Sequence, residues 1–434
     1  MSQLVFQGDY RETEIGFLPE NWEIKKLGDI DTEKPVNITP RENETYEYYS
    51  IPAYQKLRKP VVTKGKAILS QKKVLKEGMI LFGKLNPRVE KVWQVKPYTH
   101  YAKIGSGEWL SILPNPREVE PDYLYFLELS DYVMPIAKKF VTGSTPSRQR
   151  VDPRSFYGIR IPIPPLQEQK KIAYVLSTIQ KAQEKTENFT TSLRELKKSL
   201  MKHLFTHGAI SLGDAEKVIL KETEIGMIPG KWDVAKLGDV ASITYGIQAA
   251  VAHLNDSSQG IPILTNINIR NDGFLNLSVL RYYNLPSNRR DKLLLKGDIL
   301  FNWRSGSKSH VGKTAIFGLD GEYTFSSFIL RFRTNEKISN LYLFYYLMFL
   351  KYLNFFSEKG NVSSVNAVFN ASYSADIPIY LPPLLEQEEI ASILSSVSEK
   401  IVTEERRKAS LDKLFKSMLY NLVTARIRVD NSVS

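Results

Sequence analysis

The sequence lacks cysteine entirely, which excludes disulfide bonds, thiolate zinc sites and cysteine nucleophiles. It also lacks a long apolar run, because its most apolar stretch, Leu341–Leu350, is followed by Lys351 and is too short to span a bilayer. The first residues have neither the basic start nor the apolar core of a signal peptide. Together these absences predict a cytoplasmic protein with no membrane partner.

Catalytic motifs are missing as well. Residues 78–85 resemble a phosphate-binding loop, but they end in Leu85, which has no hydroxyl group for magnesium. Residues 306–314 end in Gly-Lys-Thr, with one residue too many after the first glycine. The histidines do not have the spacing of metal ligands, and no Asn/Asp-Pro-Pro-aromatic methyltransferase motif occurs. We therefore expect no catalytic residue, no metal site and no cofactor bound by this chain.

Charge of one sign is in excess. The 434 residues include 59 Lys and Arg against 47 Asp and Glu, which gives a formal net charge of +12. Such an excess favours an anionic partner, because contact with a phosphate backbone releases counterions. Charge alone does not separate a DNA-binding protein from an ordinary basic one. The length predicts about two to four domains.

The chain contains one unit twice. Glu12–Ile30 (ETEIGFLPENWEIKKLGDI) is repeated at Glu222–Val240 (ETEIGMIPGKWDVAKLGDV). Ile161–Gln169 (IPIPPLQEQ) is repeated in the same order at Ile377–Gln387 (IPIYLPPLLEQ). The offset is close to half the chain and far exceeds the period of a solenoid, so the pattern predicts a duplicated domain.

Each half has the same predicted plan. Aromatic and β-branched runs between Gly, Pro and Asn predict short strands with loops, and Pro121–Lys139 and Asn340–Phe356 are the helix candidates. An IPI strand and a Pro-Pro stop follow, and then a long helix. The predicted divisions are a first globular domain at 1–165, a long helix at 166–208, a second globular domain at 209–383, a second long helix at 384–425 and a tail at 426–434.

Heptad spacing in the two long helices predicts a coiled coil. One track of the first helix is Ile172, Ile179, Thr186, Leu193 and Leu200, and the other is Val175, Ala182, Phe189 and Leu196. The second helix has Ile390, Val397, Leu411 and Met418, with Ile393, Leu394, Ile401 and Leu414. Lys400, Glu404 and Arg407 there mark a register device or docking face, or else the seam shifts onto Leu394 and Ile401. We expect the helices to pack antiparallel, as a rigid spacer with a globular domain at each end.

The repeated motifs resemble those of a known family. The TEIG-x-x-P-x-x-W-x-x-x-x-LGD start, the IPIPPLQEQKKIA junction and the LKKSLMKHLFT helix end are similar to specificity subunits of type I restriction–modification enzymes, over essentially the whole chain. The resemblance implies an α+β fold with two similar target recognition domains of mixed α/β structure. Two long antiparallel coiled-coil helices separate these domains, in a pseudo-twofold tandem repeat. The second junction has one extra residue before Pro-Pro, which does not affect the assignment.

The resemblance also implies a function. Each domain would bind one half of a bipartite site in double-stranded DNA, and the helices would set the gap and carry two methyltransferase subunits. Restriction subunits, which are translocases and nucleases, would join that core. The chain itself would be non-catalytic, while its partner subunits would use S-adenosylmethionine, ATP and Mg. Because the polar loops of the two halves differ almost completely, we expect an asymmetric target.

DNA-contacting residues are predicted first where strands lead into loops. The stretch Lys56–Lys76 carries eight basic residues, and its basic run favours phosphate contact through Lys72 and Lys73. Arg and Lys suit guanine edges and Asn suits adenine. On this basis the next loop contributes Lys84, Asn86 and Arg88, and the matching place in the second half contributes Asn302, Arg304, Ser307 and Lys308. An ordinary hairpin is the alternative for these loops.

A second loop precedes each IPI strand. Its glycine and small hydroxyl residues allow close approach to a phosphate, and its longer polar side chains could reach base edges. The predicted contacts are Ser144, Thr145, Arg148, Gln149 and Arg150 in the first half and Ser363, Ser364 and Asn366 in the second. Gln248 is added from a stretch of alternating polar and apolar residues, a pattern that any half-buried strand shares.

Two other classes of function remain open at this point. A stand-alone or fused restriction or methylation enzyme would need a motif for a nucleotide, S-adenosylmethionine or a metal, and none survives inspection. A purely structural coiled-coil adaptor would not bind DNA even with a methyltransferase present. Methylation by the chain alone would favour the first class, and strongly salt-dependent DNA binding would exclude the second.

Overall fold

A computed structural model describes residues 10–248, 254–256, 258–305, 310–359, 361–362 and 367–429. The chain divides into two compact units, of which unit 1 is Met1–Glu187 with Arg406–Ser434 and unit 2 is Asn188–Glu405. Each long helix therefore gives one half to each unit. Each unit combines a globular domain with two helix segments.

The elements of the first half alternate short strands with short helices before the long helix. The described strands are β1 (Tyr10–Thr13), β2 (Gly16–Pro19), β3 (Glu23–Lys26), β4 (Asn37–Ile38), β5 (Thr45–Tyr49), β6 (Val61–Lys64), β7 (Lys72–Val74), β8 (Ile80–Gly83), β9 (Val92–Gln94), β10 (Ala102–Gly105), β11 (Trp109–Ile112), β12 (Val141–Thr142), β13 (Arg150–Val151) and β14 (Arg160–Ile163). The described helices are α1 (Ile51–Leu57), α2 (Pro121–Leu129), α3 (Val133–Lys139), α4 (Pro153–Tyr157) and α5 (Leu166–His207).

The second half follows a related order. The described strands are β15 (Leu220–Glu222), β16 (Met227–Pro229), β17 (Asp233–Lys236), β18 (Ala241–Tyr245), β19 (Ile261–Leu264), β20 (Arg281–Tyr283), β21 (Ile299–Asn302), β22 (Arg304–Ser305), β23 (Thr314–Ile316), β24 (Thr324–Phe325), β25 (Ile329–Thr334), β26 (Asn361–Val362), β27 (Ala367–Val368) and β28 (Pro378–Leu381). The described helices are α6 (Leu237–Val240), α7 (Asn340–Tyr352), α8 (Phe355–Lys359), α9 (Ala371–Ala375) and α10 (Leu384–Val423).

The two repeated sequence motifs pair with each other in each unit. Strand β3 of the start motif is antiparallel to β14 of the IPI motif, with Lys25 opposite Ile161. Strands β17 and β28 pair in the same way, with Ala235 opposite Ile379. The start motif and the IPI motif recur together because each supplies one strand of this two-stranded ladder.

The glutamine that follows the Pro-Pro stop fixes the start of each long helix. Gln169 is fully buried and donates to the carbonyl oxygen of Pro164 at 2.8 Å, and Gln387 is fully buried and donates to that of Pro382 at 2.9 Å. Each side-chain oxygen also accepts the amide N–H of the residue before α2 or α7 at 2.8 Å. Loss of such bonds would leave buried polar groups unpaired, which is costly.

A buried strand lies at the centre of each globular domain. In unit 1, β8 is the middle strand of the sheet β11-β8-β9, and α2 packs on β8 and β9. In unit 2, β21 is an inner strand of the sheet β18-β25-β21-β23, and α7 packs on β23. All four residues of β8 and of β21 are buried, which is typical of apolar strands covered on both faces.

Both predicted short helices are broken. The segment Pro121–Lys139 forms α2 and α3, since Ser130 is extended (φ −73°, ψ 156°) and Pro135 lies in the first turn of α3, where its missing N–H is tolerated. In the second half, α7 ends before Asn354, whose φ of 60° is left-handed and stops the helix.

The seam of α5 differs from its prediction in one track. The first predicted track is buried or half-buried, but Phe189 and Leu196 of the second are 46% and 47% exposed. The second track lies one residue further along, at Leu176, Gln183, Thr190, Lys197 and Leu204. It was missed because its centre is polar. Gln183 is accommodated by a hydrogen bond to Asp412 at 2.7 Å, which apolar periodicity does not detect.

The seam of α10 follows the shifted alternative. Leu394 and Ile401 are buried, whereas Arg407 and Leu414 are exposed. Glu404 is buried on the same face, and the amine of Lys400 lies 3.0 Å from its carboxylate. The central part of this seam is therefore polar, as it is on α5.

The helix segments are antiparallel in each unit. In unit 1, Glu168 binds Arg428 at 2.8 Å near the start of α5, while Gln183, further along, bonds to Asp412. In unit 2, Arg194 donates to Glu405 at 2.7 Å, and Gly208 lies against the first turn of α10. In both units, residues with higher numbers on α5 contact residues with lower numbers on the second helix segment. Among the residues described, none of the helices combines the length and apolar character needed to cross a membrane.

Candidate nucleic-acid interface

Two loops predicted to contact DNA lie side by side in unit 1. They are the β8–β9 loop, residues 84–91, and the β12–β13 loop, residues 143–149. The amide of Asn86 donates to the carbonyl oxygen of Gln149 at 2.8 Å, and the carbonyl oxygen of Lys84 accepts a second main-chain bond from β13 at 3.0 Å. The two loops therefore form one surface.

Several predicted side chains of this surface are open to solvent. Arg150 binds both carboxylate oxygens of Glu108, with N–O distances between 3.0 and 3.3 Å. This contact holds the pKa of Arg150 above its ordinary value and offsets its charge. No sequence pattern points to Glu108 as the partner of Arg150. The exposed predicted residues are Arg88, Ser144, Thr145, Arg148 and Arg150, and the half-buried ones are Lys84, Asn86 and Gln149.

Lys72 and Lys73 make internal hydrogen bonds. The amine of Lys72 donates to the carbonyl oxygen of Ser70 at 2.8 Å, and that of Lys73 donates to the carbonyl oxygen of Trp109 at 2.7 Å. Burial lowers the pKa of both amines, and the charge of Lys84 lowers that of Lys73 further. In this conformation neither amine is as available to a phosphate as the exposed arginines are.

Unit 2 repeats the loop arrangement of unit 1. Strand β22 pairs with β27, with Arg304 opposite Val368, and β27 pairs with β26. The amide of Phe369 donates to the carbonyl oxygen of Trp303 at 2.8 Å, in the place of the bond that Lys84 accepts in unit 1. In both units the loop after the central buried strand is thus joined to the hairpin that precedes the IPI strand.

Arg304 is exposed and lies next to an aromatic ring. The guanidinium carbon of Arg304 lies 5.9 Å from the ring centroid of Phe328, within the range of a cation–π interaction. Trp303 donates to the carbonyl oxygen of Ser327 at 2.6 Å and packs edge-on against Tyr245 at 5.3 Å. Phe328 is 45% exposed and was not predicted, because a single aromatic residue in a strand region usually indicates core.

Gln248 and Asn302 have different environments. Gln248 is exposed and follows Ile247, whose carbonyl oxygen accepts from the amide of Ser327 at 2.9 Å, so it lies near the Trp303 contact. Asn302 is 1% exposed, and its side-chain amide donates to the carbonyl oxygen of His310 at 2.8 Å. Asn302 therefore does not face a ligand in this conformation.

The remaining predicted contacts cannot be placed. Ser307, Lys308, Ser363, Ser364 and Asn366 lie outside the described residues. Their neighbours in the chain, β22 and the β26–β27 hairpin, are paired with each other. Within the described part of the chain, no group of three or more His, Asp or Glu side chains could hold a metal ion.

Known proteins share this organisation. Residues 19–195 and 229–413 match the family described as "Type I restriction modification DNA specificity domain". Two specificity subunits of type I restriction enzymes from Methanocaldococcus jannaschii are similar over nearly their full lengths. The MjaX subunit is 28% identical and 98% of each chain is covered, and the MjaVIII subunit is 27% identical with 95% of each covered.

A solved structure supports the fold. Its title describes complex assembly and conformational transition of the type I R-M system, and the chain is 20% identical with a TM-score of 0.57, over 94% of this chain and 99% of that one. The duplicated α+β domains and the antiparallel helices agree with the family match, which covers both halves. The chain therefore belongs to the type I restriction–modification specificity subunits, non-catalytic proteins that recognise DNA.

Proposed function

We propose that the chain recognises an asymmetric bipartite site in double-stranded DNA, one half-site by the domain at 1–165 and the other by the domain at 209–383. The observation that carries the proposal is the recurrence of one paired-loop surface in both units with different side chains. In unit 1 this surface presents Arg88 and Arg148, and in unit 2 it presents Arg304 beside exposed Phe328. The same backbone arrangement with different donors suits two different half-sites.

The proposed contacts fall into two groups. Arginines that reach base edges would supply specificity, because a guanidinium can bind guanine through two hydrogen bonds. Small hydroxyl groups such as Ser144 and Thr145, both exposed, suit phosphate oxygens. The predicted residues outside the described part of the chain belong to the same loops and stay in the proposal. Lys72, Lys73 and Asn302 are not included among the direct contacts, because their polar groups bond to the protein itself.

The proposed partners follow from the family. Two methyltransferase subunits would dock on the long helices, residues 166–208 and 384–425, and restriction subunits would join the assembly. These partners would bring S-adenosylmethionine, ATP and Mg, and the chain would position them on the DNA. Exposed apolar residues on the helices, such as Phe189 and Leu196, support a role of these helices in docking.

Binding selection on randomised duplexes tests the proposal. The full chain, copurified with its methyltransferase subunit, is expected to enrich two unrelated half-sites at a fixed gap, with an affinity that falls steeply as salt rises. Enrichment of one palindromic site, or of none, would contradict it. Methylation assays on the chain alone are expected to show no turnover. Turnover without partners would favour a fused enzyme instead.

A further inference from the structure

The β8–β9 loop of unit 1 closes over a buried lysine. Lys91 is 2% exposed, and its amine donates to the carbonyl oxygens of Asn86, at 3.0 Å, and of Val89. Both acceptors belong to the loop itself, and no carboxylate binds this amine among the described residues. A buried ammonium group needs such partners, since an unpaired charge is costly in a low dielectric. Lys91 therefore holds the loop backbone in place.

The space for this lysine depends on Gly83. A Cβ atom at position 83 would lie 2.8 Å from both Cβ and Cε of Lys91, which real Cβ atoms do not tolerate. The amide of Gly83 also donates to the carbonyl oxygen of Lys91 at 2.8 Å, so the two backbones cannot separate without loss of that bond. A side chain at position 83 would have to displace the lysine.

In unit 2 the buried donor to the loop backbone comes from the opposite strand of the pair. The amide of Asn302 donates to the carbonyl oxygen of Lys313 at 2.8 Å, so Asn302 and Lys313 match Gly83 and Lys91 in the ladder. Here the buried side chain is Asn302, which donates to the carbonyl oxygen of His310, while Lys313 is half-exposed. In each pair, one residue thus supplies the buried side-chain donor that binds the loop backbone, and the other residue does not.

We propose that Lys91 and Asn302 are positioning residues for DNA sequence recognition, each of which sets the backbone of the loop that carries the DNA-contacting side chains of its domain. The proposal rests on the proposed DNA contact of these loops. Lys91 binds the carbonyl oxygen of Asn86. Asn86 has a φ of 48°, and its amide donates to Gln149, so this residue aligns the two loops of unit 1. Because the two domains use different donors, recognition in each can be altered separately.

A structural test needs no DNA. Lys91→Met keeps the length of the side chain but removes the three donors, so amide hydrogen exchange in residues 84–90 of the full chain should accelerate about tenfold or more. Lys138→Met is the matched control, because Lys138 pairs with Glu90 of the same loop at 2.6 Å, but it does so at the surface. Unchanged exchange in Lys91→Met, or equal acceleration in both variants, would overturn the proposal.

A recognition test uses the copurified complex and randomised duplexes. Lys91→Met should lower base preference about tenfold at one half-site, and Asn302→Leu should do so at the other. The salt dependence of DNA binding should stay unchanged in both variants, because neither the Lys91 amine nor the Asn302 amide faces a phosphate. Equal loss at both half-sites, or no loss, would overturn the proposal. If the wild-type complex prefers no sequence, the proposed function itself fails, and the exchange measurement still decides whether Lys91 holds the loop.

Rescue provides a further criterion that general destabilisation would not meet. Gly83→Asn alone should displace Lys91 and resemble Lys91→Met. Gly83→Asn combined with Lys91→Gly removes the obstruction, because both the Cβ and the Cε of residue 91 are then absent, and it places an amide where unit 2 has one. We expect the double variant to recover selectivity relative to either single variant. A double variant as poor as the sum of the single effects would overturn the exchange of roles.

Discussion

The amide of Asn86 donates to the carbonyl oxygen of Gln149 at 2.8 Å, and this bond joins two loops that are far apart in the sequence. A second bond joins them where the amide of Val151 donates to the carbonyl oxygen of Lys84 at 3.0 Å, and in unit 2 the amide of Phe369 donates to the carbonyl oxygen of Trp303 at 2.8 Å in the same place. The duplication therefore preserves main-chain bonds, while the side chains at the surface differ. This separation allows one scaffold to carry two specificities.

The seam of the coiled coil can be tested with two leucines of α5. Leu204 is 2% exposed and Leu196 is 47% exposed, and both belong to unit 2. Leu204→Ala should lower the free energy of unfolding by about 2–5 kcal/mol, because it leaves a cavity. Leu196→Ala should cost less than about 1 kcal/mol. Urea unfolding measures both losses. Equal losses in the free energy of unfolding would instead support the seam track predicted from the sequence.

Glu128 predicts how stability depends on pH. Its side chain is fully buried, and neither carboxyl oxygen has a hydrogen-bond partner among the described residues. Burial raises its pKa well above the ordinary value, and the charge of Asp31 adds to the effect. The pKa of Glu128 is higher in the folded protein than in the unfolded one. Its contribution to the free energy of unfolding is therefore fully present below pH about 4.3 and is lost as the pH rises toward the folded pKa.

Glu128→Gln should therefore raise the Tm relative to wild type at pH 8 and much less at pH 5. The gain is at most about 1.4 kcal/mol for each pH unit over which the two states differ in protonation. Glu42→Gln is the control, since Glu42 is exposed. Calorimetry at the two pH values measures the difference. A Tm shift of Glu128→Gln that does not depend on pH would show that Glu128 is ionised in the folded protein.

The duplicated plan and the α+β fold with its antiparallel helices could be predicted because they rest on repeated motifs and long periodic segments. The second track of the α5 seam could not, because Gln183 and Lys197 are half-buried polar residues held by specific contacts. Gln183 bonds to Asp412, and the Lys197 amine lies 5.2 Å from the ring centroid of Tyr345, with burial lowering its pKa to about 8. Apolar spacing carries no trace of these contacts.

The candidate site was predictable to a similar degree. Polar residues that recur at equivalent places predict the two loops of each domain, but the pairing of these loops depends on main-chain bonds between distant segments. Asn302 illustrates the limit, since a polar residue after a buried strand suggested a base contact, whereas its amide bonds to His310 inside the protein. Sequence identifies donors, and only the fold determines where each donor points.

The spacer role of the helices predicts the effect of a deletion in register. Gln180–Thr186 on α5 and Ala409–Phe415 on α10 are seven-residue segments centred on the Gln183–Asp412 contact. Removal of both keeps the heptad register and shortens each helix by about 10 Å. At 3.4 Å per base pair, the gap between half-sites should shrink by about 3 base pairs while the half-sites stay unchanged.

Methylation profiling or binding selection measures that gap. Removal of the α5 segment alone is the control, because it breaks the pairing with α10 and should abolish binding altogether. An unchanged gap in the double deletion would refute the spacer role.

Base preference of Arg148→Ala and Arg304→Ala tests the central claim most directly. Selection on randomised duplexes, with Arg117→Ala as an exposed control in unit 1, reports preference at each position. Each loop variant should lose about 10- to 100-fold of preference at one half-site, a different one for each arginine, and bind random DNA almost as well as the wild type. Equal weakening on cognate and random DNA would contradict the account, because both arginines would then be phosphate contacts.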